Sequence, residues 1–176
     1  MLEIMKDQEF DQVYSLMQKS FPIDEYRPVQ EQRKLLQNKN YRIYTVHDAD
    51  KTTVRAFLAV WQFFDFTYFE HFAVDTALRG QGMGSMILKE ASRLFDRQIC
   101  LEAELPDTEI AKRRIEFYRR NGYFSNDYFY MQPPISEGRK AVPLMIMTAK
   151  STVTKEQFEK IKAVLYREVY HQTDAG

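Results

Sequence analysis

The chain has 176 residues, enough for a domain with a hydrophobic core of its own. Its 25 basic and 25 acidic residues balance, so the overall charge gives no reason to expect nucleic acid or an anionic membrane as a partner. The one cysteine, Cys100, excludes an intramolecular disulfide, and no signal peptide or apolar run of membrane-spanning length is visible. We therefore expect a cytoplasmic globular protein.

Apolar spacing predicts an α/β chain. Val13, Met17 and Phe21 follow Phe10 at helical spacing, and Pro22 ends that helix. Predicted strands lie at 2–5, 41–47, 54–64, 66–74, 99–105, 128–131 and 144–148, and further helices at about 29–38, 82–95, 109–121 and 154–170.

The last predicted helix extends the chain beyond a domain at 1–150, so 151–176 is expected to form a C-terminal helical extension. Thr154 and Gln157 match a capping box at its start. Its apolar stripe is expected to pack on its own domain, and a dimer contact is the alternative, so the protein is a monomer or a homodimer. The stripe consists of Phe158, Ile161, Leu165 and Val169.

A glycine-rich turn connects the strand at 66–74 to the helix at 82–95. It reads Arg79-Gly80-Gln81-Gly82-Met83-Gly84. Glycine allows a sharp turn and places no Cβ in the way of a ligand. The helix N-terminus and Arg79 together favour an anion at the turn. The turn therefore predicts a cofactor that carries phosphate.

Two nucleotide-binding motifs do not fit this turn. A dinucleotide site requires G-x-G-x-x-G, and in the position of a P-loop lysine and hydroxyl the chain has Gly84-Ser85-Met86. The pattern Arg79-x-x-Gly82-x-Gly84, preceded by residues 71–75 (His-Phe-Ala-Val-Asp), resembles the acyl-CoA-binding segment of the GNAT superfamily of N-acetyltransferases.

This resemblance implies a binding site for acetyl-CoA. The residues that would contact the pyrophosphate are Arg79, Gly80, Gln81, Gly82, Met83, Gly84 and Ser85. It also implies that the strand backbone at Phe72, Ala73 and Val74 pairs with the pantetheine amides and polarises the thioester carbonyl.

A second segment, residues 113–123, resembles the GNAT helix that ends in Phe/Leu-Tyr, three variable residues and Gly-Phe/Tyr. Here it reads Phe117-Tyr118-Arg-Arg-Asn-Gly122-Tyr123. In the family this tyrosine points toward the thioester sulfur and acts as the general acid, which implies that role for Tyr118. Many relatives hold the pantetheine arm with an asparagine early in this helix, where this chain has residues 109–112 (Glu-Ile-Ala-Lys).

The resemblance covers about residues 2–150 and implies the GNAT fold. That fold has a central mixed, mostly antiparallel sheet flanked by helices, to which this chain adds the C-terminal helix. The implied activity is that of an acetyl-CoA-dependent N-acetyltransferase, in which a primary amine attacks directly in a ternary complex.

Acetyl transfer to an amine requires a group that accepts the proton of the amine. Strict alternation along 66–74 predicts that Glu70 and His71 face opposite sides of the sheet. A carboxyl group in apolar surroundings has a raised pKa, which suits a base. We expect Glu70 to be the base, with a salt-bridged structural Glu70 as the alternative. His71 is the competing base but is expected to be structural, and Glu102 or water is the other alternative for the base.

Other ionisable residues rank below Glu70. Glu102 and Glu104 alternate together, and they either hold a water, bind the ammonium group of the substrate or face solvent. Cys100 is expected to be a core residue. No metal site is expected, because His47, His71 and His171 lack ligand spacing with carboxylates or cysteine.

The acceptor is expected to be a small-molecule or peptide amine. Asp24 and Glu25, in the loop at 21–28, either attract a cationic amine or are solvated. Two other functions stay open: a catalytically silent GNAT-like module that binds acyl-CoA, and a nucleotide-binding α/β protein. The presence of both Glu70 and Tyr118 favours the enzyme.

Overall fold

A computed structural model describes residues 1–172 of the chain. It contains two compact units, one made of Met1–Pro22 with Pro28–Ile99, the other of Ile23–Arg27 with the described residues from Cys100 onward. No helix within residues 1–172 is long and apolar enough to cross a lipid bilayer.

The first unit is built on four strands that pair antiparallel in chain order. Single turns of 3₁₀ helix at Asp7–Glu9 and Thr76–Leu78 do not follow from the apolar pattern of the sequence. The helices and strands of this unit are β1 (Glu3–Ile4), α1 (Phe10–Ser20), α2 (Val29–Leu35), β2 (Tyr41–His47), β3 (Val54–Gln62), β4 (Phe66–Val74) and α3 (Met83–Leu94).

The buried face of α1 is the predicted one, because Phe10, Val13 and Met17 are all buried. Two large apolar residues of α3 do not belong to its buried face. Met86 and Leu94 are 63% and 52% exposed, since Met86 lies on the far side of the helix and Leu94 in its last turn. The residues of α3 that are buried are Ile87, Leu88 and Ala91.

The second unit is built around the long strand β8. One edge of β8 pairs antiparallel with β5, and the other pairs first with β7 and then with β6. The short strand β6 follows Gly122 directly and is missing from the predicted strands. The elements are β5 (Gln98–Glu104), α4 (Glu109–Arg120), β6 (Tyr123–Ser125), β7 (Tyr130–Gln132), β8 (Val142–Ala149) and α5 (Lys155–Val164).

The C-terminal helix begins at the predicted capping box, in which Thr154 and Gln157 bond reciprocally. After α5 the chain continues as one π-helical turn, Leu165–Val169. The whole predicted stripe is buried within the chain, so its packing on its own protein is confirmed. The helix belongs to the second unit, and the boundary at residue 150 stays a prediction. Residues 173–176 of the predicted extension lie outside the described residues.

Candidate active site

The glycine turn adopts a conformation that only glycine takes without strain. Gly80 and Gly82 have φ angles of 77° and 80°, in the left-handed region. A Cβ added at either glycine would have no atom within 4 Å from the described residues beyond its two chain neighbours. The backbone of the turn is therefore open to a ligand on the side where a side chain would stand.

The turn leads directly into α3. Gly82 is the N-cap residue and has no side chain to bond the first N–H groups, and the first backbone bond of the helix runs from Met86 to the Gly82 carbonyl. Met83, Gly84 and Ser85 form the first turn of α3. Their N–H groups and the positive end of the helix dipole provide a site of the kind that binds phosphate.

An ion pair fixes the entry to the turn. The carboxylate of Asp75 accepts hydrogen bonds from the Ala77 N–H and from Arg55, both at 3.0 Å. These bonds hold the pKa of Asp75 below its usual range, the Ala77 bond contributing most. Arg79 is exposed, and its Nε donates to the Val74 carbonyl at 3.3 Å. The guanidinium of Arg79 therefore lies at the end of β4.

The predicted cofactor residues of β4 also belong to this unit. Phe72 and Val74 are partly buried and pack, with Met83, against a core cluster that includes Ile87 of α3. Ala73 alternates with them and is buried. The strand end and the helix start are thus packed on one another, which fixes the turn between them.

A β-bulge at Glu70 overturns the predicted alternation of β4. Ala59 of β3 pairs with His71, whereas the next residue, Val60, pairs with Phe69, so Glu70 is an extra residue in the ladder. Because of this extra residue, Phe69 packs toward α3, with its ring centroid 5.7 Å from that of Phe95. Phe69 and His71, two residues apart, therefore do not share a face of β4, as strict alternation would require.

The bulge also brings Glu70 and His71 together instead of separating them. The Glu70 Oε2 atom lies 3.6 Å from the His71 Nδ1 atom, and both side chains are almost fully buried. The prediction that the two face opposite sides is wrong for the same reason. The ring of His71 meets that of Phe21 edge to face, with centroids 4.8 Å apart. Glu70 therefore has a titratable group beside it.

Tyr118 lies in the second unit, on the last turns of α4. Thr108 caps this helix by accepting the Ala111 N–H at 3.1 Å, and Gly122, with a φ of 82°, follows its end. The Tyr118 hydroxyl makes no hydrogen bond to another residue that the structure describes. Burial raises the pKa of Tyr118 to about 12, opposed by Arg114 and assisted by Glu104. The phenol is therefore protonated near neutral pH and can donate a proton.

Glu104 and Glu102 lie on the same face of β5 but have different partners. Arg114 donates a hydrogen bond to Glu104 at 2.7 Å, so Glu104 forms an ion pair with Arg114. The carboxylate of Glu102 accepts hydrogen bonds from the hydroxyls of Tyr130 and Tyr170. Neither tyrosine carries a sequence signal for this contact, because they lie 28 and 68 residues away along the chain.

The acidic loop residues Asp24 and Glu25 lie in one turn of 3₁₀ helix, Ile23–Glu25. The Asp24 carboxylate accepts the Lys140 N–H at 3.0 Å, and the Asp24 carbonyl accepts the Gln132 amide at 3.2 Å. The side chains of Asp24 and Glu25 are both partly exposed. The loop is therefore anchored to the second unit by its own polar groups.

The remaining sequence-based expectations concern Cys100 and metals. Cys100 is fully buried, and burial raises the pKa of its thiol, so its assignment to the core is confirmed. Within residues 1–172, no group of three or more histidine, cysteine or acidic side chains is arranged to hold a metal ion.

Similarity to known proteins identifies the class. A family model described as an acetyltransferase (GNAT) domain matches residues 39–124. The structure also matches that of a protein from Bacteroides thetaiotaomicron assigned to the GNAT family of acetyltransferases, with a TM-score of 0.90 and 32% sequence identity over 98% of this chain and 99% of that chain. The chain therefore belongs to the GNAT family of acetyltransferases, and the predicted mixed α/β fold is confirmed.

More distant structures share the fold. The ribosomal-protein-S18-alanine N-acetyltransferase of Escherichia coli is 17% identical, with a TM-score of 0.60 over 88% of this chain and 96% of that chain. A variant of spermidine N-acetyltransferase from Vibrio cholerae is 14% identical, with a TM-score of 0.62 over 89% of this chain and 99% of that chain. No curated protein sequence matches the chain.

Proposed function

We propose that the protein transfers an acetyl group from acetyl-CoA to a primary amine. The observation that carries this proposal is the open glycine turn: two glycines with positive φ, followed at once by a helix start without a capping side chain. These features suit the pyrophosphate of acetyl-CoA, with Arg79 as a further donor. Distant structural neighbours named for spermidine and for a ribosomal protein support a small-molecule or peptide amine as the acceptor.

The chain's own residues supply the proton transfers of this reaction. Acetyl-CoA, when bound, supplies the acetyl group activated as a thioester. Glu70 accepts, directly or through one water, the proton that the ammonium must lose before its nitrogen attacks. Tyr118 donates its phenolic proton to the sulfur as the carbon–sulfur bond breaks and the carbon–nitrogen bond forms, and the second proton that the nitrogen then loses returns to the phenolate, directly or through water. The backbone at Phe72, Ala73 and Val74 orients the thioester carbonyl.

A ligand panel tests the proposal. Thermal unfolding is measured with acetyl-CoA, CoA, ATP and NAD at equal concentrations. We expect acetyl-CoA and CoA to stabilise the protein by about 2.7 kcal/mol at a hundred times their dissociation constants, and ATP and NAD to do so far less. Stabilisation by ATP or NAD alone would show a nucleotide-binding protein instead.

Release of CoA from acetyl-CoA is then followed with a panel of primary amines. We expect at least one amine to release CoA and to form the acetylated product, identified by mass spectrometry. Binding of acetyl-CoA without release by any amine of the panel would identify a silent module and contradict the proposed activity.

A further inference from the structure

Three distant segments meet at the carboxylate of Glu102. The Tyr130 hydroxyl donates to Oε1, and the Tyr170 hydroxyl lies 2.7 Å from Oε2 and 2.9 Å from Oε1. Glu102 of β5 pairs with Ile146 of β8, and Tyr130 of β7 pairs with Leu144 of β8. Because Ile146 and Leu144 are two residues apart on β8, all four residues share one face of the sheet in this unit. We call Glu102, Tyr130 and Tyr170 the Glu102 cluster.

The π-helical turn explains how the C-terminal helix reaches this cluster. Its last bond joins the Tyr170 N–H to the Leu165 carbonyl, five residues earlier, at 3.1 Å. Val169 and Tyr170 are consequently both buried, although they are neighbours in sequence. Turns of this type are rare and often occur at functional sites.

The cluster provides a fixed negative charge. Hydrogen bonds to a carboxylate favour its ionised form, and phenols are neutral donors that leave the charge in place. Burial, and then the charge of Glu102, raise the pKa of Tyr130, so this phenol remains a donor near neutral pH. Both tyrosines are buried, whereas Glu102 is partly exposed. Glu102 is thus a rigid anion that a ligand can reach.

The acidic loop at Ile23–Arg27 is joined to the cluster at two points. Arg27 is buried and donates to the carbonyl of Val169, next to Tyr170, at 3.2 Å. Gln132, two residues after Tyr130, donates to the Asp24 carbonyl at 3.2 Å. The loop that carries Asp24 and Glu25 therefore lies beside the cluster.

We propose that Glu102 binds the ammonium group of the acceptor and that Tyr170 is a positioning residue that fixes the Glu102 carboxylate. The C-terminal helix then takes part in recognising a cationic amine. This inference rests on the proposed function for the reaction, but the binding it describes can be measured without any reaction.

The kinetic test measures the KM of the amine, the KM of acetyl-CoA and kcat separately. Glu102→Gln keeps an acceptor for both phenols, and we expect it to raise the KM of the amine roughly tenfold or more while the KM of acetyl-CoA and kcat stay near wild type. Tyr170→Phe should raise the amine KM in the same way but less. The matched control is Tyr166→Phe on the same helical turn, whose hydroxyl donates instead to the Met131 carbonyl at 2.5 Å and should leave the amine KM unchanged. Lower melting temperatures of Glu102→Gln and Tyr170→Phe with no change of amine KM would make the cluster purely structural.

The binding test uses protein with ¹³C-labelled tyrosine rings and n-butylammonium chloride as the probe, with n-butanol and sodium chloride as controls. We expect saturable shifts of the Tyr130 and Tyr170 signals with the ammonium salt alone, lost in Glu102→Gln and kept in Tyr166→Phe. Shifts that do not saturate, or that persist in Glu102→Gln, would overturn the inference. Saturable binding together with a failure of every amine to release CoA would refute only the acetyl transfer.

Discussion

Glu70 and Glu102 lie on strands of different units, and their neighbours differ in what they can do with a proton. Beside Glu70 is the imidazole of His71, whose Nδ1 atom lies 3.6 Å from the Glu70 Oε2 atom, and an imidazole nitrogen can act as a proton acceptor or donor. Beside Glu102 are two phenols, whose hydroxyls donate hydrogen bonds to its carboxylate. The difference indicates that Glu70 is suited to transfer a proton and Glu102 to hold a charge.

The largest effect is expected from Glu70→Gln, which preserves the shape of the side chain but removes the proton acceptor. We expect the rate of acetyl transfer in a single turnover, at saturating amine, to fall by roughly 10²- to 10⁴-fold. Glu102→Gln, measured in parallel, should keep most of its rate at saturating amine. Equal rates in the two variants would remove the distinction between the two carboxylates.

The next effect concerns the proton donor. Tyr118→Phe removes only a hydroxyl, and we expect turnover to fall by roughly 10²-fold with the affinity for acetyl-CoA unchanged. The control is Tyr123→Phe, which removes a buried hydroxyl that has no hydrogen-bond partner among the described residues. If both variants turn over like the wild type when chemistry limits the rate, water protonates the sulfur.

A smaller effect is expected from a methyl group in the glycine turn. Gly82→Ala places a Cβ where the pyrophosphate is expected, and we predict that calorimetry shows roughly tenfold or weaker binding of acetyl-CoA. Gly138→Ala is the matched control, because Gly138 has a φ of 76° and its added Cβ would also meet none of the described residues within 4 Å, apart from its chain neighbours. Both variants place a side chain at a glycine with a positive φ, so they carry similar backbone strain. An equal loss of affinity for acetyl-CoA in the two variants would show that strain, and not the Cβ in the glycine turn, weakens binding.

The last effect is on stability at high pH. Tyr118 has a pKa of about 12 in the folded protein against an ordinary value of 10.0, so the unfolded chain releases this proton first as the pH rises. The stability that depends on the neutral phenol is complete below pH 10 and falls between about pH 10 and 12, by about 3 kcal/mol at most. Tyr118→Phe should flatten the fall in the free energy of unfolding, measured with urea over this range. An unchanged slope would contradict the burial of this phenol.

The glycine turn was predictable from sequence because every residue it needs is contiguous. Positive φ at Gly80 and Gly82 and the helix start at Met83 follow from six successive residues. The setting of Glu70 was not predictable, because a bulge adds one residue to β4 and strict alternation assumes none. The partners of Glu102 were not predictable either, because Tyr170 reaches it only through tertiary packing and a π-helical turn.

The dependence of kcat/KM for the amine on pH tests the distinction between Glu70 and Glu102 most directly. It is measured for the wild type, Glu70→Gln and Glu102→Gln with two acceptor amines of different pKa, because the contribution of the ammonium itself moves with the acceptor. We predict that Glu102→Gln lowers the whole profile and keeps its acidic limb, whereas Glu70→Gln loses or displaces that limb for both amines. An acidic limb that survives in Glu70→Gln and disappears in Glu102→Gln would reverse the two roles and contradict the account.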